Sequence, residues 1–294
     1  LSRIAERSKG DVELVAFDTP AQVDEFRRDP ELFFANHPGR LLLDEVQNVP
    51  DIFPYLKKEL DAVRGEFRFF ISGSQSFEVM KGVSESRAGR AAVLDLWPFC
   101  VQEVRGRGSK DDPGDVLRYL ERPDLLDRVK SRRFAVNDRD DVAPLMLAGG
   151  YPSVAVQGLG AQWLDSYRRT YIERDIRLMS TIQDVGRFDR FVMLLAGRSG
   201  TILNKAELSN AVDVDNKTID NWLGLLEATY QAIRLPPHFA NATKRVVKRP
   251  KLHFADSGLG LHLQAIRDAD ALLASPHFGQ LFESFVVMEV RKLY

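Results

Sequence analysis

Two adjacent carboxylates behind a run of leucines are the residues best placed for chemistry in this sequence. The stretch Arg40–Pro50 reads R-L-L-L-D-E-V-Q-N-V-P. Leu41–Leu43 is apolar without alternation, the pattern of a strand buried on both faces of a parallel sheet. Asp44 and Glu45 end that strand, at the edge where ligands of open α/β folds sit. Carboxylates so close to a core are costly unless they are paired or hold a cation. Transfer of a phosphoryl group to water supplies a reason for them. Asp44 would help to hold Mg²⁺ on the phosphates of a nucleotide, and Glu45 would orient and deprotonate the attacking water. Taken alone, the dipeptide is equally consistent with a solvated turn just after a strand.

The elements that must position this pair can be read on either side of it. Leu1–Lys9 places Leu1, Ile4 and Ala5 on one helical face, and Gly10 is a fitting stop. Val12–Phe17 alternates weakly as a strand. Asp18, Thr19 and Pro20 form a cap and first turn, which predicts a helix over Pro20–Asn36. Pro50–Val63 is predicted helical, with Ile52, Phe53, Leu56, Leu60 and Val63 on one stripe. Phe67–Ile71 is a further apolar strand running into S-G-S-Q-S, and Ala91–Leu96 is the last strand of this half. Strands alternating with helices of this length predict a parallel sheet.

Composition sets the bounds. A length of 294 residues favours two or three domains, and 44% apolar with 28% charged residues is enough to bury a sizeable core. A net charge of −1 gives no global attraction to nucleic acid or anionic lipid, so such binding would need a local patch. The single Cys100 excludes an internal disulfide and fits a reducing, cytoplasmic setting. No apolar run approaches the roughly 18 residues of a membrane span, and the charged start is no signal peptide. The five His are scattered without ligand spacing, which with one Cys makes a zinc site implausible. The chain opens and closes inside helical patterns, which suggests an internal piece of a longer protein.

L-L-L-D-E-V-Q-N-V-P, F-F-I-S-G-S-Q-S and S-E-S-R-A-G-R ahead of W-P-F together resemble the AAA-type ATPases of prokaryotes. In that family a C-terminal region of long-uncharacterised function follows the ATPase half. The resemblance continues through G-G-Y-P (149–152), Y-I-E-R-D-I (171–176), K-R-P-K-L-H-F-A-D-S-G-L (248–259) and G-Q-L-F-E-S-F-V (279–286), and so covers essentially the whole chain. It implies a P-loop NTPase-type α/β sheet, N-terminally truncated, followed by a mainly helical region with a winged-helix domain. The implied organisation is an ATPase core over 1–104, a helical linker or lid over 105–195, a winged-helix-like domain over 196–256 and the start of a nuclease-like domain over 257–294. ATP and Mg²⁺ are the implied cofactors, with Asp44 and Glu45 as the Walker B carboxylates. By resemblance Ser74 is the polar sensor near the γ-phosphate, with Ser72 a close second. Gln47 matches the family's D-E-x-Q and either contacts the nucleotide site or faces solvent. Arg87 and Arg90 are candidates for a charge reaching the phosphates, Arg90 first, from a neighbouring subunit if the protein is a homo-oligomer. The phosphate loop of such enzymes, G-x-x-x-x-G-K-[ST], does not occur in these residues. As it stands, this chain is therefore expected to bind ATP poorly or not at all.

Farther along, Arg105–Asp115 is polar and Gly-rich and reads as a linker. Val116–Lys130 and Ala161–Ser180 look helical, the latter with Trp163, Tyr167, Tyr171 and Arg174 at i, i+4 spacing, a core-packing stripe. Arg174–Asp175 is assigned no chemistry. In Thr201–Tyr230, Asn204-x-x-Glu207 resembles a capping box, a turn falls near Val212–Asp215, and a helix buries Ile219, Trp222, Leu223 and Leu226. Tyr230–Leu235 and Lys251–Ala255 would pair as a hairpin, completing a winged helix. Arg234, Lys244, Arg245, Lys248, Arg249 and Lys251 carry no intervening acid, so this segment is a candidate DNA contact, centred on Lys244, Arg245, Lys248 and Arg249. Against it, Asp213, Asp215, Asp220 and Glu227 make an acidic reading helix. Interdomain scaffolding is the competing use. Gly279–Tyr294 resembles the first helix of a restriction-endonuclease-like domain, with Glu283 at its first acidic position. On its own, the polar face carrying Glu283 and Glu289 reads as solvated.

Overall fold

The structure, a computed structural model, describes residues 12–62, 68–73, 94–106, 139–171, 182, 184–238 and 249–293. Leu1–Lys9, Val116–Lys130 and Arg174–Asp175 lie outside them. The chain divides into two compact units, Leu1–Leu94 and Asp95–Tyr294.

The first unit is built on a parallel sheet of β1 (Val12–Ala16), β2 (Arg40–Asp44) and β3 (Phe69–Ile71), in that order. The span Pro20–Asn36 is not one helix but two, α1 (Pro20–Arg28) and α2 (Pro30–Asn36). Pro30 crowds the residue before it out of the helical region. Asp29 accordingly sits at φ −156°, ψ 90°, and its carboxylate accepts the Leu32 amide at 2.9 Å to cap α2. The break turns Phe26, Phe33 and Phe34 inward with Phe17. Their rings meet largely edge to face, Phe26 and Phe33 with centroids 5.6 Å apart. Pro50–Ile52 is a 3₁₀ turn that leads into α3 (Phe53–Ala62), and of the expected stripe Ile52, Phe53 and Leu56 are buried. Leu41, Leu42 and Leu43 of β2 are fully buried, which is why this strand shows no polar alternation. Leu94–Leu96 is not strand, contrary to expectation. Leu94 and Leu96 are 91% and 94% exposed, and Ala91–Val93 lie outside the described residues.

In the second unit, α4 (Val101–Val104), α5 (Arg139–Ala148), α6 (Pro152–Ala155) and α7 (Gly160–Thr170) precede the segment read as helix-turn-helix. The rings of Trp163, Tyr167 and Tyr171 stack down α7 and pack against the core of that segment, as the spacing predicted. Next come α8 (Val185–Ala196), β4 (Thr201–Ile202), α9 (Lys205–Val212), α10 (Asn216–Ala228), β5 (Ala232–Leu235) and β6 (Lys251–Phe254). The three strands form an antiparallel sheet in the order β4-β6-β5, with β5 and β6 paired as the hairpin pattern required. Phe188, Phe191, Ile219, Trp222, Leu223 and Leu226 fill the space between helices and sheet. The capping box at Asn204 does not form. The Asn204 side chain donates to the Glu207 carboxylate at 3.5 Å rather than accepting a backbone amide, and Glu207 pairs with Arg198. Asp215 does cap α10, accepting the Thr218 amide at 2.6 Å.

Gly224 sits inside α10, and a methyl group added there would meet nothing within 4 Å. Glycine in a helix interior costs about 0.5–1 kcal/mol relative to alanine. Gly224→Ala should raise the unfolding free energy by about that amount, read as an upward shift in urea midpoint with unchanged m.

The unit closes with α11 (Ser257–Leu263), α12 (Ala269–Leu273) and α13 (Phe278–Leu293), which share a second core with α5 through Met146, Leu261, Leu272 and Leu281. The acidic face of α13 is not simply solvated. Glu289 accepts the Val101 amide at 2.7 Å, and Lys292, its side chain 4% exposed, donates to the Phe99 carbonyl at 3.1 Å. Glu283 pairs with Lys251 at 2.5 Å. Beside that pair, on β6, His253 is fully buried with neither ring nitrogen hydrogen-bonded. Burial pushes its pKa below the usual 6.5, with Lys251 adding to the effect and Glu283 opposing it. The folded state thus favours neutral His253 and the unfolded state binds the proton more readily. The resulting stability is whole above about pH 6.5 and drains away as pH falls below it. His253→Leu should flatten this acid limb and raise stability at pH 7 by about 1 kcal/mol, the cost of burying unpartnered polar atoms. Urea titrations from pH 7.5 to 5 would check both.

Candidate functional site at the carboxyl edge of the parallel sheet

The register of the first sheet brings its strand ends to one edge. Ala16 lies opposite Asp44, and Leu43 opposite Ile71, so Phe17, Asp44 and Ser72 leave the sheet side by side. Backbone bonds continue the ladder across this edge: Phe17 N–H to Asp44 C=O at 3.0 Å, Ser72 N–H to Leu43 C=O at 2.8 Å, and Val46 N–H to Ser72 C=O at 3.2 Å. The strand cannot simply run on. Glu45 turns out of the sheet at φ 56°, ψ 37°, a left-handed conformation uncommon for a residue with a side chain.

Several contacts hold that turn. Asp44 Oδ1 accepts the Glu45 amide at 3.1 Å and also the Ser72 hydroxyl. A short 3₁₀ turn, Val46–Asn48, follows, closed by Asn48 N–H to Glu45 C=O at 3.0 Å. The Asn48 side chain donates to the Phe17 carbonyl at 2.8 Å and so ties the turn to the end of β1. From α1, Arg27 donates to the Asn48 carbonyl at 3.1 Å. Within this frame the Gln47 amide donates to Glu45 Oε2. Asp44, Glu45 and Gln47 are half-buried, neither sealed in the core nor free in solvent.

Of the residues singled out in sequence, Asp44, Glu45, Gln47 and Ser72 therefore come together. Ser74, Arg87 and Arg90 lie outside the described residues, as do Lys244, Arg245 and Lys248. Arg249 is exposed. Two other cations of the basic segment are engaged within the unit: Arg234 binds the Glu227 carboxylate, with Nε 2.9 Å from Oε1, and Lys251 binds Glu283. On α10, Asp220 is likewise paired, with Lys205 at 2.9 Å. Asn48 was not singled out. Its signal was an Asn in a turn ahead of Val-Pro, a residue type that bonds neighbouring backbone when the chain reverses.

The donors at this edge are hard oxygens, the set that Mg²⁺ prefers. Among the described residues there is no group of three or more His, Cys, Asp or Glu able to hold a metal by itself. A nucleotide-borne Mg²⁺ does not need one, since it takes most of its ligands from phosphate and water and one or two from protein. Asp44 with the Ser72 hydroxyl beside it fits that requirement. No helix among the described residues is long and apolar enough to cross a membrane.

Comparison with known proteins agrees with the division into two parts. Residues 1–105 match a family described as AAA domain, and residues 139–270 match one described as Domain of unknown function (DUF8612). The N-terminal part thus resembles an AAA-type, P-loop-ATPase-like region. An uncharacterized protein of Mycobacterium tuberculosis and one of Mycobacterium bovis are each 29% identical over 297 residues, covering 100% of this chain. The chain spans 59% of the length of these curated relatives. No solved structure matches it.

Proposed function

We propose that the chain carries the hydrolytic half of the nucleotide site of an ATP-hydrolysing AAA-type protein. The observation that carries this reading is the convergence of Asp44, Glu45 and Ser72 at the carboxyl edge of a parallel sheet. Asp44 would hold Mg²⁺ with the Ser72 hydroxyl beside it, and the bound ion would neutralise phosphate charge. Glu45, turned out of the sheet one residue later, would take the proton of the attacking water. Ser74 as sensor and Arg90 as the charge stabiliser would complete the set, Arg90 from a neighbouring copy if the protein is a homo-oligomer. The phosphates themselves require a G-x-x-x-x-G-K-[ST] loop elsewhere in the natural protein. The test is Mg²⁺-dependent ATP turnover by the full-length natural protein. A folded full-length protein that neither binds nor turns over ATP would overturn the reading.

A second reading concerns residues 185–254. Helix, strand, two helices and two strands with the order β4-β6-β5 support a winged helix there. With Arg234, Lys251 and Lys205 engaged by acids of the same unit, its described face offers little free positive charge to phosphate. We read it as an interaction scaffold in preference to a reader of DNA.

A further inference from the structure

The contact between the Gln47 amide and the Glu45 carboxylate has a specific use. Glu45 occupies a strained backbone conformation, so its side chain departs from the sheet with no strand neighbour to hold it. Asp44 cannot orient it, because the Asp44 carboxylate is already turned to the Glu45 amide and the Ser72 hydroxyl. Among the described residues, the group that reaches the Glu45 carboxylate is the Gln47 amide. Gln47 is itself fixed from both sides of its turn. The Asn48 side chain is fastened to the Phe17 carbonyl at 2.8 Å, Val49 N–H bonds Val46 C=O at 3.0 Å, and Arg27 holds the Asn48 carbonyl at 3.1 Å. A donor mounted on a turn pinned to β1 and α1 can hold a flexible carboxylate in one place.

We propose that Gln47 is a positioning residue for Glu45. It touches neither nucleotide nor metal, and its amide keeps the Glu45 carboxylate in the single orientation from which it can address a water at the sheet edge. This rests on the reading of Glu45 as the base. It also replaces both expectations raised by sequence for Gln47, direct contact with the nucleotide or exposure to solvent, with a contact to the base.

The experiment uses Gln47→Ala and Gln47→Glu in the full-length natural protein. Gln47→Glu keeps the shape but replaces the donor with an acceptor and adds a negative charge beside Glu45, so Gln47→Ala, which removes the donor without adding charge, must show the same fall. Loss of one hydrogen bond to a charged group predicts a fall in kcat of about 10- to 100-fold in both variants, with KM for ATP and the affinity for a fluorescent ATP analogue unchanged. A second readout needs no turnover. In the wild-type protein the side-chain amide signals of Gln47, assigned by their loss in Gln47→Ala, should move on Glu45→Ala substitution. Unchanged kcat, an effect confined to KM, or full activity of Gln47→Glu would each overturn the proposal. Gln47 amide signals indifferent to Glu45 would overturn it too. If the full-length protein turns over no ATP, the proposed function fails and catalytic positioning fails with it. The amide signals then report separately whether the Gln47–Glu45 contact exists.

Discussion

Glu45→Gln in the full-length natural protein should lower kcat for ATP by about two to four orders of magnitude, the usual worth of a positioned general base. The substitution is close to a pure removal of proton affinity. Glutamine has the same length, tolerates the same turn, and keeps an oxygen able to accept the Gln47 amide, so the orienting contact survives. Asp44 retains its bonds from the residue-45 amide and the Ser72 hydroxyl, since the former is backbone and the latter is untouched. The variant should therefore bind ATP and Mg²⁺ about as well as the parent and accumulate as the nucleotide-loaded protein. Single-turnover kinetics with radiolabelled ATP and filter binding would read both quantities. Unchanged turnover would remove Glu45 from the mechanism even if ATPase activity itself is real. A parallel loss of binding would assign Glu45 to the nucleotide or the ion instead of the water.

Much of the first unit was legible because its signals are local. Three consecutive leucines can be satisfied only by burial on both faces, and β2 supplies it between β1 and β3. The carboxylates had to fall at the strand end because the sheet edge is the first place where solvent or a ligand can reach them. The split at Asp29 was legible in principle, since Pro30 restricts its predecessor, but the apolar periodicity of Val23, Phe26, Phe33 and Phe34 runs through the break and hides it. What could not be read is pairing across sequence distance. Glu289 reads as a surface residue on a helix face, yet it closes the amide of Val101, 188 positions away. Lys251 and Arg234 count as free cations along the chain until Glu283 and Glu227 are brought beside them. Charge counts measure supply. Only the fold says what has already been spent.

The same distance problem explains Asp256, for which the second-largest effect is expected: Asp256→Ala should destabilise the second unit by about 3–5 kcal/mol. Its carboxylate is 1% exposed and accepts two amides, Gly150 at 2.7 Å and Leu259 at 2.8 Å. Leu259 belongs to the first turn of α11, buried from Gly258 to Leu263, so this is the cap of a helix with no water to replace it. Gly150 arrives from 106 positions upstream. Removal of the carboxylate leaves both donors buried and unpaired, at about 1–3 kcal/mol each, and opens a void beside them. The two glycines are part of the same fit. A methyl group on Gly149, at φ +63°, would stand 2.4 Å from Asp256 Oδ1, and one on Gly150 would stand 2.1 Å from the Phe99 carbonyl oxygen. A methyl group on Gly258, the second residue of α11, would in turn stand 2.9 Å from the Leu147 carbonyl oxygen in the backbone that ends α5. G-G-Y-P and A-D-S-G therefore read as two halves of one close-packed joint, and neither needs a ligand to account for its residues. Asp256→Asn is the informative control. It keeps the shape and one acceptor but turns an amide donor toward one of the two N–H groups, so it should cost about half as much as alanine. Urea unfolding of both variants, read by tryptophan fluorescence of the second unit, would measure the difference. A stable Asp256→Ala protein would show that the joint is held elsewhere, and would reopen Asp256 as a residue kept for function.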